Sequence, residues 1–140
     1  WPGKIQPGSR TERIVLSMDI FATACEASGA KPPADIDGVS FLPTLLGQSQ
    51  PETKRELYFV RREGGLDYGG KTIEALRRGD WKLIQDSPFA PLELYNLKND
   101  PQEASDVVAK EKAVVKELAA GLRKNIQRGA AVPWQPPAGK

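Results

Sequence analysis

The chain has 140 residues, 39% hydrophobic and 27% charged, the composition of an ordinary globular protein with room for one core. Lys and Arg number 20 against 18 Asp and Glu, and the resulting net charge of +2 is too weak a field to imply nucleic acid. With no histidine and one cysteine, Cys25, the chain offers no Ser-His or Cys-His pair, no Cys/His zinc site and no internal disulfide, so most hydrolytic mechanisms are closed to it acting alone.

No apolar run approaches the roughly 18 residues of a membrane span, and no charged-then-apolar leader is present. An opening of Trp1-Pro2-Gly3-Lys4 without an initiator Met reads as a piece of a longer chain or a processed product. Pro2, Gly3, Pro7 and Gly8 argue for an extended lead-in with a turn at Gln6 to Ser9. Arg13 to Leu16 is a brief strand or the approach to a helix. Ser17 is a plausible N-cap, and Asp19 in the first turn complements the helix dipole. Ile20, Phe21, Ala24, Cys25 and Ser28 fall at helical spacing, and Gly29 stands where a left-handed cap belongs, so a helix is expected from Met18 to Ser28. Pro32-Pro33 stops it. Asp35-Ile36-Asp37-Gly38 reads as a turn. Ser40 then caps a short helix through Phe41 to Leu46, with Pro43 tolerated in its first turn and Gly47 at its end. The polar linker Gln48 to Lys54 suggests a boundary, giving residues 1–50 and 51–140.

The second part centres on a hairpin. Gly79-Asp80 separates Ile73 to Arg78 from Trp81 to Ile84, and a two-residue loop needs the positive φ that glycine supplies and Asp tolerates. Alternation sends Ile73, Ala75 and Arg77 to one face and Glu74, Leu76 and Arg78 to the other; Trp81, Leu83 and Gln85 share a face opposite Lys82 and Ile84. A lone hairpin is marginal in water, and Glu56 to Arg62 and Leu92 to Leu97 supply two further strands. Gly64 to Gly70 is a glycine-rich loop. Asn96 to Pro101 turns the chain out of the sheet. From Ala109 to Arg128, Val114, Val115, Leu118, Leu122 and Ile126 form one helical stripe, closed by Gly129, and an extended tail carries Trp134. The fold expected is α+β: a four-stranded antiparallel sheet with a C-terminal helix packed on one face, preceded by a short helical segment.

No arrangement of residues reads as catalytic or metal-binding. Asp35 and Asp37 are more economically a turn than cation ligands, and Asn96, Asn99 and Asp100 have the chemistry of a loop that bonds its own backbone. Cys25, on the apolar stripe of its helix, reads as a small buried hydrophobe. The substrate-binding candidates are basic: Arg61, Arg62, Arg78 and Lys82. If Arg62, Arg78 and Lys82 gather on one face, they can receive a sulfate or carboxylate through charge-assisted hydrogen bonds. Solvated surface charge is the competing account.

The order of five stretches resembles the C-terminal portion of the formylglycine-dependent sulfatases of the alkaline-phosphatase superfamily, of the arylsulfatase and N-acetylgalactosamine-6-sulfatase type. They are Trp1 to Ile5 with Pro7-Gly8; Met18 to Thr23 with Ser28-Gly29; Asp37 to Pro43; Arg78 to Ile84; and Glu93 to Leu97 with Asn99 to Glu103. Ala22 stands where that family's helix often has proline. Cys25-Glu26-Ala27-Ser28-Gly29 departs from the family's C-x-P-S-R conversion site at the proline and the arginine. The resemblance implies that the nucleophile and the calcium ligands belong to a larger N-terminal domain, so formylglycine and calcium are expected of the full-length enzyme and neither of this chain.

It implies further that residues 1–50 are the last part of that large domain and residues 51–140 a subdomain beside the active site, contributing scaffold and substrate-pocket wall. The partner is then the N-terminal catalytic domain of the same protein, with self-association through exposed apolar helix faces as the alternative cover; the compartment is periplasmic or secreted, and the isolated chain is inactive. A reading of another class is a free-standing binding module for sulfated polysaccharide.

Overall fold

The computed structural model describes residues 1–52, 54–62, 72–87 and 90–131. The expectations for the Gly64–Gly70 loop and for Trp134 fall outside them. The chain divides into two compact units, Trp1–Thr53 and Lys54–Lys140.

The first unit holds helices α1 (Met18–Ser28) and α2 (Leu42–Leu45). Gly29 takes φ 75° and its N–H bonds the carbonyl of Glu26, so α1 ends on the left-handed glycine that its sequence calls for. Ser17 does not cap this helix: it is itself helical and makes no side-chain cap bond. Asp19, 1% exposed, takes over that work. Its carboxylate accepts the N–H of Leu16 at 2.7 Å and that of Val39 at 2.9 Å, tying the helix start to the chain before it and to the segment after Gly38. Thr23 repeats the device one turn on, donating to the Asp19 carbonyl (2.7 Å) and accepting from the N–H of Phe41 (3.1 Å). Gly38 is required by this approach, because a Cβ there would run into the Met18 carbonyl.

The buried face of α1 is therefore Asp19, Ala22 and Thr23, not the apolar stripe expected from spacing. Ile20 is 62% and Phe21 55% exposed, and Cys25 is only half-buried. Polar side chains that satisfy loop N–H groups decide which side of the helix faces inward. In α2, the Ser40 hydroxyl accepts the Leu42 N–H and Gly47 takes φ 73°. Arg13 to Leu16 leads into α1 without forming a strand.

The second unit is a four-stranded antiparallel meander, β1 (Leu57–Arg62), β2 (Thr72–Arg78), β3 (Trp81–Gln85) and β4 (Leu92–Asn96), followed by α3 (Lys112–Ala131). Arg78 pairs with Trp81 across the two-residue loop. Gly79 takes φ 58° whereas Asp80 stays out of the left-handed region, as in a II′ turn whose first central residue alone is left-handed. The register aligns Tyr58, Leu76, Leu83 and Leu94 in one row across all four strands. The three leucines have no exposed surface, and Leu118, Ala119 and Leu122 of α3 complete the core against them. Helix α3 starts three residues later than its stripe suggests and runs through Gly129, since a single glycine costs a helix only about 1 kcal/mol and need not end it.

The outer edge of β4 is not left bare. Leu94 donates its N–H to the Asp106 carboxylate (3.0 Å), and its carbonyl accepts from the Val107 N–H (2.9 Å). Asn96 and Asp100 bond backbone N–H groups of their own loop, those of Lys98 and Asn99 and of Ala104 and Ser105 respectively.

Candidate functional site

The sheet has two unlike faces. On the first, α3 covers the leucine row, and at its rim Arg78 bridges Glu56 of the β1 approach and Glu117 of α3. The opposite face is the one that α3 does not pack on. There Leu57, Phe59 and Arg61 of β1, Ile73, Ala75 and Arg77 of β2, Lys82 and Ile84 of β3, and Glu93 and Tyr95 of β4 stand side by side by register. At its centre is a shallow hollow of about 390 Å³ with Phe59, Ile73, Ala75 and Ile84 as apolar lining and Arg61, Arg77, Lys82 and Glu103 as charged lining.

Glu103 reaches this face from the loop after β4. Its backbone takes φ 56°, the left-handed region that a non-glycine residue enters only at a cost. Asp100 holds it there, accepting the Glu103 N–H on its carbonyl and the next two N–H groups on its carboxylate. The result is an ion pair in which Lys82 Nζ lies 2.6 and 2.8 Å from the two Glu103 carboxylate oxygens. Further along the same face the Tyr95 hydroxyl donates to Glu93 at 2.7 Å. That bond, then burial, then the neighbouring carboxylates of Glu93, Asp106 and Glu103 push the phenol up to about 12, because a phenolate there would face other negative charges.

The four basic candidates do not gather. Arg61 and Lys82 line the hollow, but Lys82 is already paired with Glu103. Arg78 stands on the helix-covered face, where its two carboxylate partners make it a clamp between sheet and helix. The single basic face imagined for Arg62, Arg78 and Lys82 is thus not formed, because residues 78 and 82, joined through a two-residue turn, fall on opposite sides of the pleat. Arg62 pairs with Thr72 through its backbone, and its side chain lies outside the description. Arg77 and Glu103 were missed. Alternation already grouped Arg77 with Ile73 and Ala75, and the missing piece was which face the helix takes. Glu103 left no such signal, since a loop brings it in.

With this geometry in place, comparison with known proteins is decisive. Residues 1–131 match the family described as N-sulphoglucosamine sulphohydrolase, C-terminal. The chain belongs to this sulfatase family. It is 27% identical over 113 residues to an N-acetylglucosamine-6-O-sulfatase of Bacteroides thetaiotaomicron, covering 79% of this chain and 20% of that protein. It is 33% identical over 84 residues to an N-acetylgalactosamine-6-sulfatase of Canis lupus familiaris, covering 59% and 14%. A solved structure in complex with its substrate D-glucosamine-2-N,6-O-disulfate superimposes with a TM-score of 0.74 at 25% identity, over 95% of this chain and 28% of that one. The sulfatase chain in hand thus spans about a fifth of the length of the first of these relatives.

The α+β sheet-and-helix architecture is that of a C-terminal sulfatase domain. Among the described residues, no three His, Cys, Asp or Glu side chains are grouped so as to hold a metal ion. Cys25 is followed by Ala27 and Gly29 where formylglycine formation needs proline and arginine. The described residues therefore fit neither the calcium nor the formylglycine of a sulfatase.

Proposed function

We propose that this chain is the C-terminal part of a sulfatase that hydrolyses sulfate esters of sulfated sugars, and that it supplies scaffold and one wall of the substrate pocket. Residues 1–50 are read as the end of the large catalytic domain and residues 51–140 as the subdomain beside it. The single observation that carries the reading is the family match over residues 1–131 of a chain whose relatives are several times longer. The substrate class is drawn from those relatives, whose names specify sulfated amino sugars. Formylglycine and calcium are assigned to the full-length enzyme, with its nucleophile upstream of this segment. The partner is that upstream domain.

Arg61 is the pocket-wall cation in this reading, being the arginine among the basic candidates that lines the hollow. A guanidinium can grip a sulfate through paired N–H donors. Arg61→Ala in the full-length protein is expected to raise KM for a sulfated sugar about tenfold, one charge-assisted hydrogen bond of roughly 1.5 kcal/mol, with kcat changed less. The isolated chain, supplied with calcium and an aryl sulfate, is expected to show no turnover. Turnover by the 140-residue chain, or a full-length protein inert toward every sulfate ester, overturns the proposal.

A further inference from the structure

We infer that the exposed side of α3, through Lys112, Lys116, Arg123 and Lys124, is a binding surface for a sulfated polysaccharide chain. This rests on the functional reading above and adds to it a contact made outside the pocket. Helix α3 turns Leu118 and Leu122 onto the sheet. At 3.6 residues per turn, Lys112, Lys116 and Arg123 fall within about 40° of one another on its exposed side, with Lys124 beside them. All four are exposed, and among the described residues none of them is in an ion pair. From Lys112 to Arg123 the stripe runs roughly 16 Å, at about 1.5 Å per residue.

The helix has five Lys and Arg against one acid, Glu117, a surplus larger than the +2 of the whole chain. Glu117 is held by Arg78 at the rim of the sheet and does not neutralise the stripe. A solvated helix face ordinarily mixes signs, with acids three or four residues from its lysines. None of the four cations has such a neighbour, and Lys112 and Lys116 stand at the like-charge i, i+4 spacing that works against a helix. Lys112 also lies in a first turn that has no acid, where the helix dipole favours anions. The arrangement is unfavourable for the helix alone, and a polyanion laid along the stripe relieves it. A membrane surface would need large apolar side chains among the cations, and the exposed positions between them are Ala113, Ala120 and Gln127. Nucleic acid is the competing polyanion, but α3 has no aromatic side chain on which bases could stack. Sulfated sugar is also the substrate class of the reading above.

The test is binding of the 140-residue chain to dextran sulfate over a range of salt, beside uncharged dextran, duplex DNA and phosphatidylserine vesicles. Binding to dextran sulfate that weakens steeply with salt is expected, with none to dextran. Lys112→Gln, Lys116→Gln, Arg123→Gln and Lys124→Gln together are expected to weaken it roughly tenfold and to flatten its salt dependence. The helical circular dichroism should be retained, since the change removes like-charge pairs. A control variant carries Gln at four exposed cations elsewhere, Lys4, Arg10, Lys31 and Lys98. Equal losses in the two variants overturn the inference, as does the absence of binding. DNA or vesicles bound as tightly through the same four residues overturn it too, in favour of another class of partner. In the full-length protein the α3 variant is expected to raise KM for a sulfated polysaccharide roughly tenfold and to leave KM for an aryl sulfate unchanged. An equal rise for both substrates counts against the surface. A stripe that binds dextran sulfate on a full-length protein that hydrolyses no sulfate ester sinks the functional reading and leaves the surface standing.

Discussion

The two units of this chain are held together by different physics. The second has a row of three fully buried leucines running across its strands under an amphipathic helix. In the first, the buried residues besides Ala22 are Asp19 and Thr23, the large apolar side chains Met18, Ile20 and Phe21 of α1 are exposed, and those of α2 are only half-buried. One unit excludes water from its centre; the other satisfies loop N–H groups with two side chains. The difference teaches that a compact arrangement is not the same as an independent core. Hydrophobic burial scales with area, whereas each hydrogen bond contributes only about 1 kcal/mol net.

The strongest way to break that contrast is to attack the leucine row. Leu83→Ala removes a fully buried side chain flanked by Leu76 and Leu94. The expected loss is about 2–5 kcal/mol, the range for a large-to-small change in a core that relaxes only partly. Urea unfolding followed by Trp81 fluorescence reads it, and a loss below about 1 kcal/mol would show that the row is not the core. Next comes Asp19→Ala, which strips the acceptor from the Leu16 and Val39 N–H groups. About 1–3 kcal/mol is expected, the cost of leaving part-buried donors unsatisfied. Hydrogen exchange should show faster exchange at Val39 and through α1 with the β2 and β3 amides unchanged. Uniform loosening of both units would erase the distinction.

How far all this could be read from residues alone follows the same division. The hairpin was legible because Gly79-Asp80 fixes a turn and the flanking alternation fixes the faces, and α1 was legible in extent because Gly29 and Pro32 stop it. Its inward face was not, since periodicity weighs apolar residues and here the deciding groups are a carboxylate and a hydroxyl bonded to Leu16, Val39 and Phe41, the last two about twenty residues away. The same holds for the candidate site. Arg61 and Lys82, which line the hollow, are legible as candidates because basic residues on strands stand out. Separating Arg77 from Arg78 needed to know which face α3 covers, and finding Glu103 needed a loop held in a left-handed turn by Asp100. Local chemistry is written in short stretches; what faces what is set by long-range packing.

A smaller effect sharpens the picture of how closely α3 sits on the sheet. A Cβ added at Gly121 would fall 2.6 Å from Glu56 Oε1 and 2.8 Å from Leu76 Cδ2. Neither neighbour gives way freely, for Arg78 holds Glu56 and Leu76 is wholly buried. Gly121→Ala therefore sets about 1–3 kcal/mol of overpacking against a gain of about 1 kcal/mol in helix propensity. The expected net is a destabilisation below about 2 kcal/mol. In a Glu56→Ala background the same substitution is expected to cost less, and an unchanged cost would place the strain on Leu76 alone.

The smallest effect is one of pH and belongs to the second unit only. Folding holds the Tyr95 phenol at about 12, above its ordinary 10.0, through its bond to Glu93, its burial and the carboxylates around it. A group raised in this way favours the folded state in its protonated form. Its contribution is whole below pH 10 and disappears as pH climbs from 10 toward 12. Measured as a difference in unfolding free energy, the advantage of the native protein over Tyr95→Phe should stay flat up to pH 10 and then fall by on the order of 1 kcal/mol, solvent screening having trimmed the full linkage value. Whatever else changes with pH acts on both proteins alike and cancels in that difference. Exchange in α1 should not follow this curve, because the residues that bind it, Asp19 and Thr23, belong to the other unit. A difference that stays level through pH 12 would mean that Glu93 does not hold the phenol in solution.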